Sequence, residues 1–193
     1  KETKEALNYF RDKVREAGLG ELHLNAVTWG CQILDGESMK PLTVELLKEM
    51  GFDSTCSYVW IHEHPTKHFP DNDYKDYIEE CKGDFARLTK KFEGLPYYPN
   101  VTVGWDSSYR CVQSDMFVEK WYPFMGAITN NTPELFEKAL REMKKQLDES
   151  KLTTKMFTIN AWNEWTEGSY LEPDDRYGDG KLQAIKKVFK NQL

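Results

Sequence analysis

Apolar positions along the chain recur with two alternating periods. Leu7, Phe10, Val14 and Ala17 fall three and four residues apart with charges between them, and Gly18 follows, which predicts an amphipathic helix over 1–17. Residues 21–27 (ELHLNAV) predict a strand, followed by a loop holding Thr28, Trp29, Gly30 and Gly36. A second helix covers 42–50 and stops at Gly51, and a second strand covers 52–60, ending in Tyr58, Val59 and Trp60. A polar loop over 61–72 carries His62, His64 and His68. Tyr77, Ile78, Cys81, Phe85, Leu88 and Phe92 then stripe one long helix over 73–92, with Pro96 and Pro99 marking the way out. Residues 100–104 (NVTVG) read as the third strand, and the longest loop, 105–131, follows it. Thr132 is a helix N-cap with Pro133 at the first helical position, and Leu135, Phe136, Ala139, Leu140, Met143 and Leu147 stripe the helix behind it. The fourth strand covers 155–161 and the closing helix 181–193.

The order is a helix followed by four strand–helix units. Strands separated by helices pair in parallel through right-handed crossovers. Long, polar, aromatic loops follow the strands, which places the functional face at the strands' C-terminal ends. A (β/α)8 barrel and an open doubly wound sheet share that rule. No Gly-rich phosphate loop follows any strand, which argues against the nucleotide-binding sheet. The expected fold is therefore α/β, the C-terminal half of a (β/α)8 TIM-type barrel. Residues 1–193 would form a single catalytic-domain portion, with the first strands outside this chain. Lys1 falls inside a helical pattern, which reads as a piece of a longer polypeptide, and a half-barrel would leave two sheet edges unpaired.

Composition narrows the partners. A chain of 193 residues fits one domain, and its net charge of −6 lacks the basic footprint of a nucleic-acid binder. Mean hydropathy is −0.71 and no apolar run approaches about 18 residues, so no membrane span is expected. Cys31, Cys56, Cys81 and Cys111 are widely spaced and form no CxxC pair; they read as isolated buried thiols and leave the compartment open.

The richest chemistry lies in 156–174 (MFTINAWNEWTEGSYLEPD), an apolar strand that ends in Asn160, Trp162, Asn163, Glu164, Trp165 and Glu167. If the turn after the strand is helical, Glu164 and Glu167 share one face with Cβ atoms about 5–6 Å apart. That is close to the roughly 5–5.5 Å of retaining glycosidases and short of the roughly 6.5–9.5 Å of inverting ones. Two carboxylates so placed repel, which would leave an acid beside a base. The alternative is a Glu pair decorating a helix start. Trp162 and Trp165 offer stacking faces for sugar rings or wall the site, and Asn163 can donate to a hydroxyl or to Glu164. Trp105, Asp106 and Arg110 open the long loop. Asp106 could bind hydroxyls and Trp105 stack under a ring, or Asp106 and Arg110 could pair to pin the loop. Glu172, Asp174 and Asp175 read as loop and cap chemistry. The histidines of 61–72 match no metal motif, and neither a metal nor a cofactor is expected.

NAWNEWTEGSYLEPD, together with VGWDSSYR (103–110), resembles the family 99-like glycoside hydrolase domain. That grouping takes in WbsX-type proteins described as glycosyltransferases of polysaccharide clusters. The resemblance covers most of 100–188 and is specific in NEWTEG. It implies a retaining endo-α-mannosidase type of reaction on the two glutamates. Glu164 would deprotonate the sugar's own 2-hydroxyl, which attacks the anomeric carbon to give a 1,2-anhydro sugar. Glu167 would protonate the leaving oxygen and then activate water. Thr166 stands where those enzymes have His, and Tyr109 where the WbsX-like pattern has Pro. The expected activity is a retaining glycoside hydrolase acting on a glycan or polysaccharide, a reading that favours a secreted or periplasmic setting. The alternatives are a WbsX-type glycosyltransferase and a non-catalytic glycan-binding module. Sugar, linkage and oligomeric state are not legible.

Overall fold

The computed structural model describes residues 2–28 and 42–190, so Lys1, Trp29, Gly30, Cys31, Gly36 and the last three residues of the closing helix lie outside the described residues. In chain order the elements begin with α1 (Glu2–Glu16), β1 (Asn25–Val27), α2 (Val44–Met50), β2 (Ser54–Cys56), a 3-10 turn (Trp60–His62), β3 (Asp71–Asp73), α3 (Tyr74–Cys81) and α4 (Asp84–Lys91). There follow β4 (Tyr97–Tyr98), β5 (Asn100–Thr102), a 3-10 turn (Ser107–Arg110), β6 (Ala127–Thr129) and α5 (Pro133–Glu149). The chain closes with β7 (Thr158–Asn160), β8 (Asn163–Glu164), a 3-10 turn (Trp165–Glu167), β9 (Ser169–Tyr170) and α6 (Gly180–Phe189). These elements form two compact units, Lys1–Tyr58 with Phe85–Tyr98, and Val59–Asp84 with Pro99–Leu193.

The first unit holds a three-stranded parallel sheet in the order β1-β2-β4, with Asn25 beside Ser54 and Thr55 beside Tyr97. Parallel pairing is what the intervening helices require. Thr43 accepts from the Leu46 N–H and starts α2 at residue 44. Gly51, at φ +90, ends it by donating to the Leu47 and Lys48 carbonyls. The first strand is shorter than its pattern because its entry is diverted: the Leu24 N–H donates to the Asp53 carboxylate and the Leu22 carbonyl accepts from Arg11. The same Arg11 guanidinium reaches the Gly51 carbonyl and Asp53. It fastens an α1 that buries none of its residues and leaves Phe10 exposed, whereas the stripe Leu7–Phe10–Val14 had predicted a covered face. Burial of Asp53 opposes its ionisation, but the Leu24 N–H and Arg11 outweigh that and hold its carboxyl below the usual range.

The chain departs from the pattern in two places. The long helix predicted over 73–92 is two helices, α3 and α4, broken at Lys82–Gly83, where glycine is a poor helix former. The apolar stripe continues through both pieces and hides the break. β3 and β6, read as loop, pair in parallel with Asn72 opposite Ile128. The sequence Asp71-Asn72-Asp73 carries no apolar alternation. Buried Asn72 is satisfied by its own amide, which accepts from the Lys67 and His68 N–H groups and donates to the His68 carbonyl. β5 and β7 pair in parallel, Val101 opposite Ile159. α5 begins as its cap predicts, with Thr132 accepting from the Leu135 N–H, and buries Phe136, Ala139, Leu140, Met143 and Leu147. α6 packs on it through Ala184 and Val188.

Three of the four cysteines are described, and none of them is in a disulfide. Cys56 and Cys81 are buried as expected, and burial pushes the Cys56 thiol up to about 11. Cys111 is half-buried instead, because it sits at the end of the 107–110 turn. Among the described residues no helix is long and apolar enough to cross a membrane.

Candidate active site

β7 ends at Asn160, and the chain turns at once into the β8–β9 hairpin, with Glu164 opposite Ser169. Ser169 donates to the backbone and side-chain oxygens of Asn160, both at 2.7 Å, which ties the hairpin to the strand. Gly168 makes the reversal possible. It takes φ +61, and a Cβ there would stand 2.8 Å from the Cβ of Asp106. That close approach sets the hairpin against the segment after β5, where the Asp106 N–H donates to the Glu167 carbonyl at 2.7 Å. The Asp106 carboxylate caps the next turn by accepting from the Ser108 N–H, and the turn carries Arg110 across to the glutamates.

The turn 165–167 is 3-10 helical, so Glu164 and Glu167 project to one side. Arg110 lies between them. Its Nη2 donates to Glu164 Oε1 at 2.7 Å and stands 3.5 Å from Glu167 Oε1. Its Nε donates to the Thr166 hydroxyl at 3.0 Å, and that hydroxyl donates to the same Glu164 Oε1 at 3.0 Å. Glu167 is the more deeply set, its side chain 10% exposed against 34% for Glu164. Tyr122 donates its hydroxyl to Glu167 Oε1 at 3.0 Å, and its ring lies 5.8 Å from the Arg110 guanidinium. Burial draws the Arg110 pKa down, but the hydrogen bond to Glu164 and the charge of Glu167 leave it above its usual range. The Tyr122 phenol is raised, by burial first and then by Glu167. The repulsion expected between two close carboxylates is met here by a fixed cation and a phenol.

The remaining sequence candidates divide by position. Trp162 and Trp165 are exposed on the hairpin beside Asn163. Trp165 is held edgewise and facewise, stacked 3.7 Å from Tyr170 and donating through Nε1 to Glu172 at 2.6 Å. Buried Lys181 sits 4.4 Å from the Tyr170 ring, anchoring that stack to α6. Trp105 is buried with its ring 6.3 Å from Tyr122, which sets it behind that phenol and away from the surface. Asp106 acts as the turn cap. The Asp106–Arg110 pair considered from sequence does not form, because Arg110 reaches over to Glu164 and Thr166. Two contributors escaped sequence reading. Thr166 registered only as a replaced histidine. Tyr122 lies in a long loop whose only signal is the aromatic and proline cluster Trp121-Tyr122-Pro123-Phe124.

The model of the family described as "Glycosyltransferase WbsX" matches residues 1–185. Proteins from two strains of Xanthomonas campestris pv. campestris, each described as "Uncharacterized protein WxcX", are 25% identical over 190 residues, covering 93% of this chain and 24% of theirs. The chain thus spans about a quarter of the length of the curated relatives it matches. A solved structure described as "Glycoside hydrolase-like protein" is similar with a TM-score of 0.57 at 14% identity, over 97% of this chain and 50% of that one. At that identity the likeness is one of fold.

Proposed function

The chain belongs to the WbsX family, and on that premise we propose that it is a carbohydrate-active enzyme that cleaves a glycosidic bond with retention, using Glu164 and Glu167. The observation that carries this reading is the spacing around Arg110. Facing oxygens of both glutamates lie within 3.5 Å of one nitrogen, so they are closer together than the roughly 6.5–9.5 Å an inverting pair needs to admit water. In this reading Glu164 takes the proton of the sugar 2-hydroxyl as that oxygen attacks the anomeric carbon. The glycosidic C–O bond breaks and its oxygen takes a proton from Glu167. Glu167 then draws a proton from water as the water oxygen attacks the anomeric carbon, the bond from that carbon to the 2-oxygen breaks, and Glu164 returns its proton to the 2-oxygen. Arg110 and Thr166 orient Glu164, Tyr122 orients Glu167, and the exposed indoles of Trp162 and Trp165 with Asn163 line the approach of the sugar.

We read the parallel strand–helix order as the C-terminal half of a (β/α)8 barrel, supported by likeness to half of a glycoside hydrolase-like structure. The proposed cleavage needs no cofactor. The family description favours a second reading, in which the same carboxylates activate an acceptor hydroxyl for transfer from a sugar donor. The deciding experiment screens the protein on α-mannans and other glycans for released reducing ends, beside Glu164→Gln and Glu167→Gln. Release lost in both variants supports the hydrolase. Transfer from a nucleotide sugar without release overturns it in favour of the transferase. Glycan binding with neither activity leaves a binding module.

A further inference from the structure

We propose that His64, Cys81 and Asp84 form a binding site for a zinc-type transition-metal dication, separate from the glutamate pair. One ligand atom from each of the three residues lies within 4.8 Å of the others, and His64 Nε2 stands 2.8 Å from Asp84 Oδ2. Cys81 is the last residue of α3 and Asp84 the first of α4, three residues apart, a spacing that puts both side chains on one side of the chain across the break at Lys82–Gly83. His64 comes from the loop before β3, and its backbone is fixed there. Its N–H donates to the Trp60 carbonyl at 2.9 Å, and its carbonyl accepts from the Tyr77 hydroxyl at 2.6 Å, on a tyrosine that is itself buried.

The donor set fits the ion by charge and by softness. A thiolate and a carboxylate supply two negative charges against a dication, and the imidazole binds as the neutral ring. Thiolate with imidazole selects zinc-like metals over magnesium or calcium, which take oxygen. Zinc bonds of about 2.0–2.3 Å put tetrahedral ligand atoms roughly 3–4 Å apart, so the His64–Asp84 pair opens slightly as the ion enters. Cys81 is buried, while the side chains of His64 and Asp84 are 24% and 14% exposed, so the cluster has an open side by which the ion enters and a water completes the tetrahedron. In this position the ion clamps the α3–α4 junction to the loop carrying His64.

The test is a titration of the full chain, freed of metal by chelator and gel filtration, with Zn(II) and with Co(II) as the optical probe. The expected result is one equivalent bound, with a thiolate-to-cobalt charge-transfer absorption and tetrahedral d–d bands. Cys81→Ser should abolish the charge-transfer band. His64→Gln and Asp84→Asn should each weaken Zn(II) binding by more than roughly 10-fold, the range that even outer-shell changes reach. Because Cys81 is buried and its replacement can disturb folding, the half-exposed His64 is the safer arm, with circular dichroism confirming its fold. No stoichiometric uptake by the wild-type chain overturns the site. So does uptake that is indifferent to the His64 and Asp84 substitutions.

Discussion

At Arg110 one nitrogen serves two carboxylates, and that arrangement sets what each residue of the site can be asked to do. Two carboxylates about 5 Å apart repel by at most about 3 kcal/mol at an effective dielectric near 20, less where solvent reaches Glu164. Arg110→Met removes the cation between them and should lower kcat/KM by about 10–100-fold, with the pH–rate profile moving to higher pH. Arg110→Lys should keep the profile but lose part of the rate, since it cannot also hold Thr166 through a second nitrogen. An unmoved profile in the methionine variant would remove Arg110 from the site. Tyr122 gives a second test through its raised phenol. The folded protein holds the proton to higher pH than the unfolded chain, so this contribution to stability is complete below about pH 10, the ordinary phenol value, and is lost as pH rises through the folded value. Tyr122→Phe should therefore lose less stability than wild type between pH 9 and pH 11 in urea unfolding. The close spacing of Glu164 and Glu167 was readable from the sequence, whereas the partner of Arg110 was not, since the sequence offered Asp106 and the guanidinium reaches Glu164. Tyr122 was not, because a contact made across 45 residues from within a loop leaves no periodic trace.

Elements were legible in proportion to how fully local rules specify them. α5 has a cap, a proline at its first position and a five-residue buried stripe, and the sequence placed its start correctly. Thr132→Ala should cost about 1 kcal/mol in urea unfolding and leave the glutamate site unaltered. β3 was missed because a polar Asp-Asn-Asp strand satisfies its buried member through side-chain hydrogen bonds, and the α3–α4 break because the apolar period runs straight across it. The β8–β9 hairpin falls between these cases. A helical turn there was only a condition in the sequence, and the positive φ of Gly168 and its contact with Asp106 are tertiary facts. Gly168→Ala must strain the backbone and push on Asp106, costing roughly 1–3 kcal/mol. Because the hairpin carries both glutamates, activity should fall further than stability accounts for. Full activity at temperatures well below unfolding would show that the close approach does not position the site.

For the whole molecule, the strand–helix alternation correctly implied parallel pairing, which is what four strand pairs among the described residues show. Grouping into two compact units was not readable, since no composition shift or linker marks it. Charge at this scale bears on substrate. The chain carries −6, and among the described residues of the site the Arg110 charge faces the two carboxylates of Glu164 and Glu167, an excess of one negative charge over these three groups. A polyanionic glycan approaching that surface meets repulsion of a kind that salt screens within about 10 Å at 0.1 M. A neutral glycan meets none and, in the proposed reading, would rely on stacking against Trp162 and Trp165. KM for a neutral glycan should thus stay level between low and moderate ionic strength, whereas any binding of a polyanionic glycan or a nucleotide sugar should tighten as salt rises. The opposite trend, with charged ligands weakening in salt, would mean that a cationic surface receives the substrate. That result would favour the transferase, whose donor brings a charged leaving group, over cleavage of a neutral glycan.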